Sequence, residues 1–168
     1  MKTIFLDIDG VLATNKQYMM NRKKFQDNNP IAKDIKIPYP FDPKCVKVFN
    51  EILDATGADI VLSSDWKLHF SLVELETIFM FNGVNKSPID ITTNDVVSFG
   101  NSTKNRAYQI GEYANRNNIT NYVVIDDLNV GKYMVITNEE DKFFLTDDFE
   151  GIKKVGLKDK IINKLNNG

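Results

Sequence analysis

Apolar and polar residues along this chain follow two distinct spacings. Short, nearly unbroken apolar runs stand at Ile4–Leu6, within residues 59–63 (Asp-Ile-Val-Leu-Ser) and at Tyr122–Ile125. Runs of that length, bounded by polar residues, read as strands buried on both faces. Between them the apolar residues fall three and four apart. Val46, Phe49, Ile52 and Leu53 make one face of a helix that Asp42 caps, Pro43 opens and Gly57 ends. Ala107, Ile110 and Ala114 mark another over 103–117, capped by Ser102 or Thr103, and Leu157, Ile161, Ile162 and Leu165 a last one over 157–166. A mainly apolar stretch over 68–82 predicts one more helix. Further strands are expected over residues 2–8 as a whole, at Pro88–Thr92, at Lys132–Thr137 and, as a short edge, at Phe143–Leu145. Apolar strands alternating with helices predict an α/β fold: a mainly parallel sheet with helices on both faces, in three layers.

One segment departs from this rhythm. Residues 13–41 are polar, basic in the middle (Lys16, Arg22, Lys23, Lys24), and punctuated by Asn28-Asn29-Pro30, Pro38 and Pro40. An irregular excursion of that length, directly after the first strand, is expected to be a flap or lid on a single domain spanning 1–168. Bulk composition changes little. With 168 residues, 42% hydrophobic, 26% charged and a formal net charge of −2, the chain is expected to be one ordinary domain with no overall footprint for nucleic acid. No apolar stretch is long enough to span a membrane, and the first apolar run is broken by acidic residues, unlike a signal peptide. Cys45 is the single cysteine, which excludes an intramolecular disulfide and suits a reducing, cytoplasmic setting. No obligate protein partner is evident.

The candidate chemistry lies where strands end. Asp7 and Asp9 follow the first strand and Gly10 lets the chain turn after them; two residues apart on an extended chain, the carboxylates share a face. Two anions so close ask for a divalent metal, a shared proton, or both. Ser63 and Ser64 end the second strand, Asp126 and Asp127 the fourth, and Lys104 sits in the first turn of the helix leading into that fourth strand. In parallel sheets ligands bind outside the carboxyl ends of the strands, so all of these features face one edge.

Taken together, these motifs resemble those of the haloacid dehalogenase superfamily, in its phosphatase branch. Asp7-Ile8-Asp9-Gly10 is similar to its first motif, Ser63 to its second, Lys104 to its third and Asp126-Asp127 to its fourth, over about residues 1–137. The Val61–Trp66 stretch resembles, more narrowly, the small domains of this kind associated with nucleic-acid repair proteins, where Arg commonly follows the Trp; Lys67 stands here. The resemblance implies a Rossmann-like, HAD-like sheet without a large cap domain, and hydrolysis of a phosphomonoester through an aspartyl-phosphate. It makes Asp7 the nucleophile and Asp9 the proton carrier. Ser63 would bind a phosphoryl oxygen and Lys104 would offset charge, with Lys33, Lys67 and Arg106 as other candidates for that cation. Mg²⁺ would be held by Asp7, Asp9 through its backbone carbonyl, and the Asp126-Asp127 pair, with Asp127 on the metal and Asp126 beside the lysine, or the reverse. Gly10, Ser64, Trp66 and Lys67 would border the substrate, Trp66 as packing or as a platform for a base.

Two other classes use similar parts. A phospho-receiver module has its acidic pair first and its acceptor in mid-chain, the opposite of the order here, and a nuclease-like metal site generally wants a Glu ahead of a late Asp-x-Asp. A catalytically silent relative that only binds a phosphorylated partner is the remaining alternative. An uncapped site suits a bulky substrate such as a nucleic-acid end, and a nucleotide or other small phosphate ester is equally compatible with these residues.

Overall fold

Strand β1 (Lys2–Leu6) lies at the centre of a five-stranded sheet, flanked by β2 (Asp59–Leu62) and β4 (Asn121–Asp126), with β3 (Pro88–Ile91) and β5 (Phe143–Leu145) outermost. Every pairing is parallel and the order is β3-β2-β1-β4-β5. The molecule is seen as a computed structural model that describes residues 1–14, 22–37, 39–134 and 139–168, with the backbone alone at 22–24.

Alternation along the strands gives the sheet two dry faces. Ile4, Leu6, Ile60, Leu62, Val123 and Ile125 point to one. It is covered by α3 (Pro43–Thr56), α4 (Leu72–Phe81) and α7 (Leu157–Asn167), through residues such as Phe49, Ile78 and Leu165. Phe5, Val61, Tyr122 and Val124 point to the other, where α5 (Ser102–Arg116) lays Ile110 and Ala114. The expected three layers are present. Asp42 accepts from the Lys44 N–H and Gly57 takes a left-handed φ of 67°, so α3 begins and ends where its caps predict.

The strand expected over Lys132–Thr137 is corrected. Residues Gly131–Met134 form a short helix, α6, and 135–138 lie outside the described residues. Val130 and Met134, four apart and both buried, show the helical spacing that the β-branched residues after them obscured. Gly131 also has to be glycine: a Cβ there would stand 2.4 Å from the Phe143 ring of β5. The fifth strand of the sheet is the short one, Phe143–Leu145.

Among its described residues, the excursion after β1 contains two short helices, α1 (Arg22–Asp27) and α2 (Pro30–Asp34). Ala32 and Ile37 are buried in the main core and the Phe25 ring meets that of Phe81, so this part is packed onto the body. Lys16 and the side chains of Arg22, Lys23 and Lys24, expected to be a basic cluster, lie outside the described residues. Among the described residues no helix is long and apolar enough to cross a membrane.

Candidate active site

Register brings the site together. Leu6 pairs with Leu62 on one side and Ile125 on the other. One residue further on, the Asp7 N–H donates to the Ile125 carbonyl at 3.0 Å and the Ser63 N–H to the Leu6 carbonyl at 2.9 Å. Asp7, Ser63 and Asp126 therefore end three adjacent strands side by side. They share the parity of Phe5, Val61 and Val124, which face α5. The sheet order reverses between β1 and β4, and such a switch point is where parallel sheets bind ligands.

From α5 comes a guanidinium. Arg106 Nη1 donates to Asp7 Oδ2 at 2.5 Å and to Asp126 Oδ2 at 3.1 Å, while Nη2 reaches Asp65 Oδ1 at 2.7 Å. Asp126 is fully buried and also accepts from the Leu128 N–H at 2.8 Å. Burial drives both the Asp7 and Asp126 carboxyls above the usual carboxylate range, against the pull of Arg106. Arg106 was a secondary candidate on sequence, and the periodicity of α5 explains its place. Arg106, Ile110 and Ala114 are spaced by four along the buried stripe, so the cation is carried on the face that seats the helix.

Lys104, the expected cation, is not part of this arrangement. Two residues earlier, it stands about 200° round the helix from Arg106. Its side chain is exposed and lines a separate groove with Val97, Tyr108 and Tyr133, while its backbone N–H is capped by Asn101 at 2.9 Å. Lys67 is likewise elsewhere than expected. Its ammonium is buried and donates to Thr92 Oγ1, the Thr93 carbonyl and Gln109 Oε1 at 2.7, 2.6 and 2.9 Å, tying three elements together. Burial and the nearby Arg106 charge bring it down to about 8. Lys33 sits exposed on α2.

The acidic pair divides unequally. Asp127 is half-buried, and with Asp7 and Asp126 it offers one oxygen each within 4.8 Å of the others. Burial, the Asp7 charge and Asp148 push its carboxyl up to about 7. Gly10 makes this approach possible: at φ +66° it lies against Asp127, and a Cβ there would be 2.5 Å from Asp127 Oδ2. The donor set fits a hard divalent cation. Three carboxylates gather about Arg106, whose single charge leaves a deficit that such an ion would fill. The Asp9 carboxylate is outside that cluster. It accepts from the Tyr39 hydroxyl at 2.6 Å and the Trp66 indole N–H at 3.0 Å.

The hydroxyls behave differently from one another. Ser63 Oγ is fully buried and makes no hydrogen bond among the described residues, an uncommon condition for a buried polar atom. Ser64 bonds the Asp7 carboxylate and accepts from the Trp66 N–H at 3.4 Å. Trp66 itself is 4% exposed and packed against Tyr39, Phe41 and Phe70, so its ring faces are occupied by the protein and it is no open platform for a base.

Among curated proteins and solved structures, none matches the chain. A family profile does: the one described as "HAD domain in Swiss Army Knife RNA repair proteins" matches residues 3–156. With an all-parallel Rossmann-like sheet and an acidic cluster at its switch point, the chain belongs to that family of HAD domains, whose chemistry is of the phosphatase type.

Proposed function

We propose that this domain is a Mg²⁺-dependent phosphomonoester hydrolase that works through an aspartyl-phosphate on Asp7, acting on phosphate-bearing RNA ends. The observation that carries the reading is the Arg106-bridged pair of Asp7 and Asp126 with Asp127 beside it, at the switch point of the sheet. The family's description supports the choice of RNA ends.

In this reading Arg106 holds the Asp7 carboxylate in place and offsets negative charge where a phosphoryl group would arrive. Ser63, buried and unbonded, supplies a hydroxyl to a phosphoryl oxygen, and Ser64 steadies Asp7. An Asp7 oxygen attacks phosphorus as the ester P–O bond breaks, and the departing oxygen takes a proton from Asp9. Asp9, now a carboxylate, accepts a proton from the water that cleaves the aspartyl-phosphate, which frees Asp7 and inorganic phosphate. Asp7, Asp126 and Asp127, with the Asp9 carbonyl, would hold the metal ion, whose contribution is charge neutralisation during phosphoryl transfer.

Phosphate release from 3′- and 5′-phosphorylated oligoribonucleotides, compared with mononucleotides, tests both chemistry and substrate. Release from the oligomers, abolished by chelator and by Asp7→Asn, is expected. Full activity in Asp7→Asn would remove the nucleophile, and exclusive cleavage of mononucleotides would remove the RNA-end assignment.

A further inference from the structure

Asp9 is held on both of its oxygens by Tyr39 and Trp66, side chains that lie outside the four motifs. Tyr39 comes from the end of the excursion after β1 and donates its hydroxyl to Oδ1 at 2.6 Å. Trp66 comes from the turn after β2 and donates its indole N–H to Oδ2 at 3.0 Å. The two donors are braced. Their rings meet edge-to-face at 5.7 Å, and the indole is fixed further by Phe41 at 6.0 Å and Phe70 at 5.4 Å. Asp9, Tyr39 and Trp66 also line one wall of a cavity of about 780 Å³, completed by Asp65, His69 and Phe70 among others.

We propose that Tyr39 and Trp66 are positioning residues that aim the Asp9 carboxyl at a leaving group seated in this cavity. The inference rests on the phosphatase reading above and deepens it. The two donors are chemically unlike in a way that suits a group needed as acid and then as base. An indole N–H can only donate, so it marks Oδ2 as an acceptor in both halves of the reaction. A phenol hydroxyl donates to one lone pair of Oδ1 and leaves the other side of that oxygen open, so Tyr39 can hold Oδ1 while the leaving group is met from its unoccupied side. The clamp thus keeps its geometry through both protonation states. It leaves the side of Oδ1 away from Tyr39 for proton exchange with the leaving group, and losing either donor frees a carboxyl that must otherwise be aimed.

Proton delivery matters for an alkoxide leaving group and hardly at all for a stabilised phenolate, which supplies a readout that packing damage cannot imitate. Wild type, Tyr39→Phe, Trp66→Phe and, as a benchmark, Asp9→Asn are compared on glycerol 2-phosphate and p-nitrophenyl phosphate with Mg²⁺. Since general acid–base catalysis is worth roughly 10²–10⁴-fold, Asp9→Asn is expected to lose about that much kcat on the alkyl ester; each Phe variant should lose about ten-fold there and less than about two-fold on the aryl ester. Equal losses on the two esters, or none, would overturn the clamp, and Tyr39→Phe decides the matter if Trp66→Phe is poorly folded. A wild type that releases phosphate from neither ester nor a 5′-phosphorylated oligoribonucleotide contradicts the phosphatase reading itself; one that cleaves the alkyl and aryl esters while the Phe variants show no selectivity contradicts the clamp alone.

Discussion

The Arg106 guanidinium bonds Asp7, Asp126 and Asp65 at once from a nearly buried position, whereas Lys104 sits in solvent two residues away. Removing one partner of a buried ion pair strands the other, at a cost of about 3–5 kcal/mol. Arg106→Ala is accordingly expected to lower stability by that amount in urea unfolding and to cut phosphate release by about 10²-fold or more, as loss of a preorganised electrostatic partner does. Lys104→Ala should change stability by no more than about 0.5 kcal/mol and leave activity nearly intact. The reverse ordering would return the charge-offsetting role to Lys104. Gly10 is fixed by its surroundings too: in Gly10→Ala the added Cβ meets Asp127 at 2.5 Å with a positive φ, and a loss of about 1–3 kcal/mol is expected from the backbone alone.

Among the elements, most of the sheet was legible because buried parallel strands leave short apolar runs that nothing else in the chain imitates. β1, β2 and β4 and the helix caps at Asp42 and Gly57 stand where the sequence predicts them. The segment after Gly131 misled because Tyr133, Val135, Ile136 and Thr137 carry strand propensity, while the deciding contact is Val130 and Met134 reaching the same core. The site was legible where the strand ends themselves supply it, at Asp7, Ser63 and Asp126. It was not legible where a helix supplies it, because the choice between Lys104 and Arg106 depends on which stripe of α5 faces the sheet. Lys67 shows the same limit: its burial follows from Thr92, just after β3, and Gln109 of α5 arriving beside it, which no local pattern reveals. Lys67→Met keeps the stem but leaves those acceptors unpaired, and a destabilisation of about 1–3 kcal/mol in urea unfolding is expected; an unchanged or more stable variant would contradict the cross-link.

For the molecule as a whole, the acidic cluster is expected to make stability depend on pH, and on Mg²⁺ if the proposed site holds it. Burial raises Asp7 and Asp126 and, with Asp7 and Asp148, pushes Asp127 up to about 7. Without metal the folded chain then holds more protons than the unfolded one, whose carboxyls titrate near about 4, so stability falls as pH rises through about 7. Asp42 does not offset this. Burial works upward on it, but the Lys153 and Lys44 hydrogen bonds keep it below the usual range, so it is already ionised throughout that window. The metal-free protein should melt at a higher temperature near about pH 5 than near about pH 8, and Mg²⁺ should raise the melting temperature chiefly at the higher pH, where the cluster is ionised. A Mg²⁺ effect equal at both pH values would separate the cluster from the metal.

The central claim is that Asp7 carries the phosphoryl group, and rapid acid quenching of protein turning over substrate tests it at the bond in question. Mass spectrometry of the digested wild type is expected to find a phosphoryl adduct on the peptide that holds Asp7, absent without substrate and absent from Asp7→Asn. Undiminished turnover by Asp7→Asn, with no adduct on that peptide in the wild type, would contradict it.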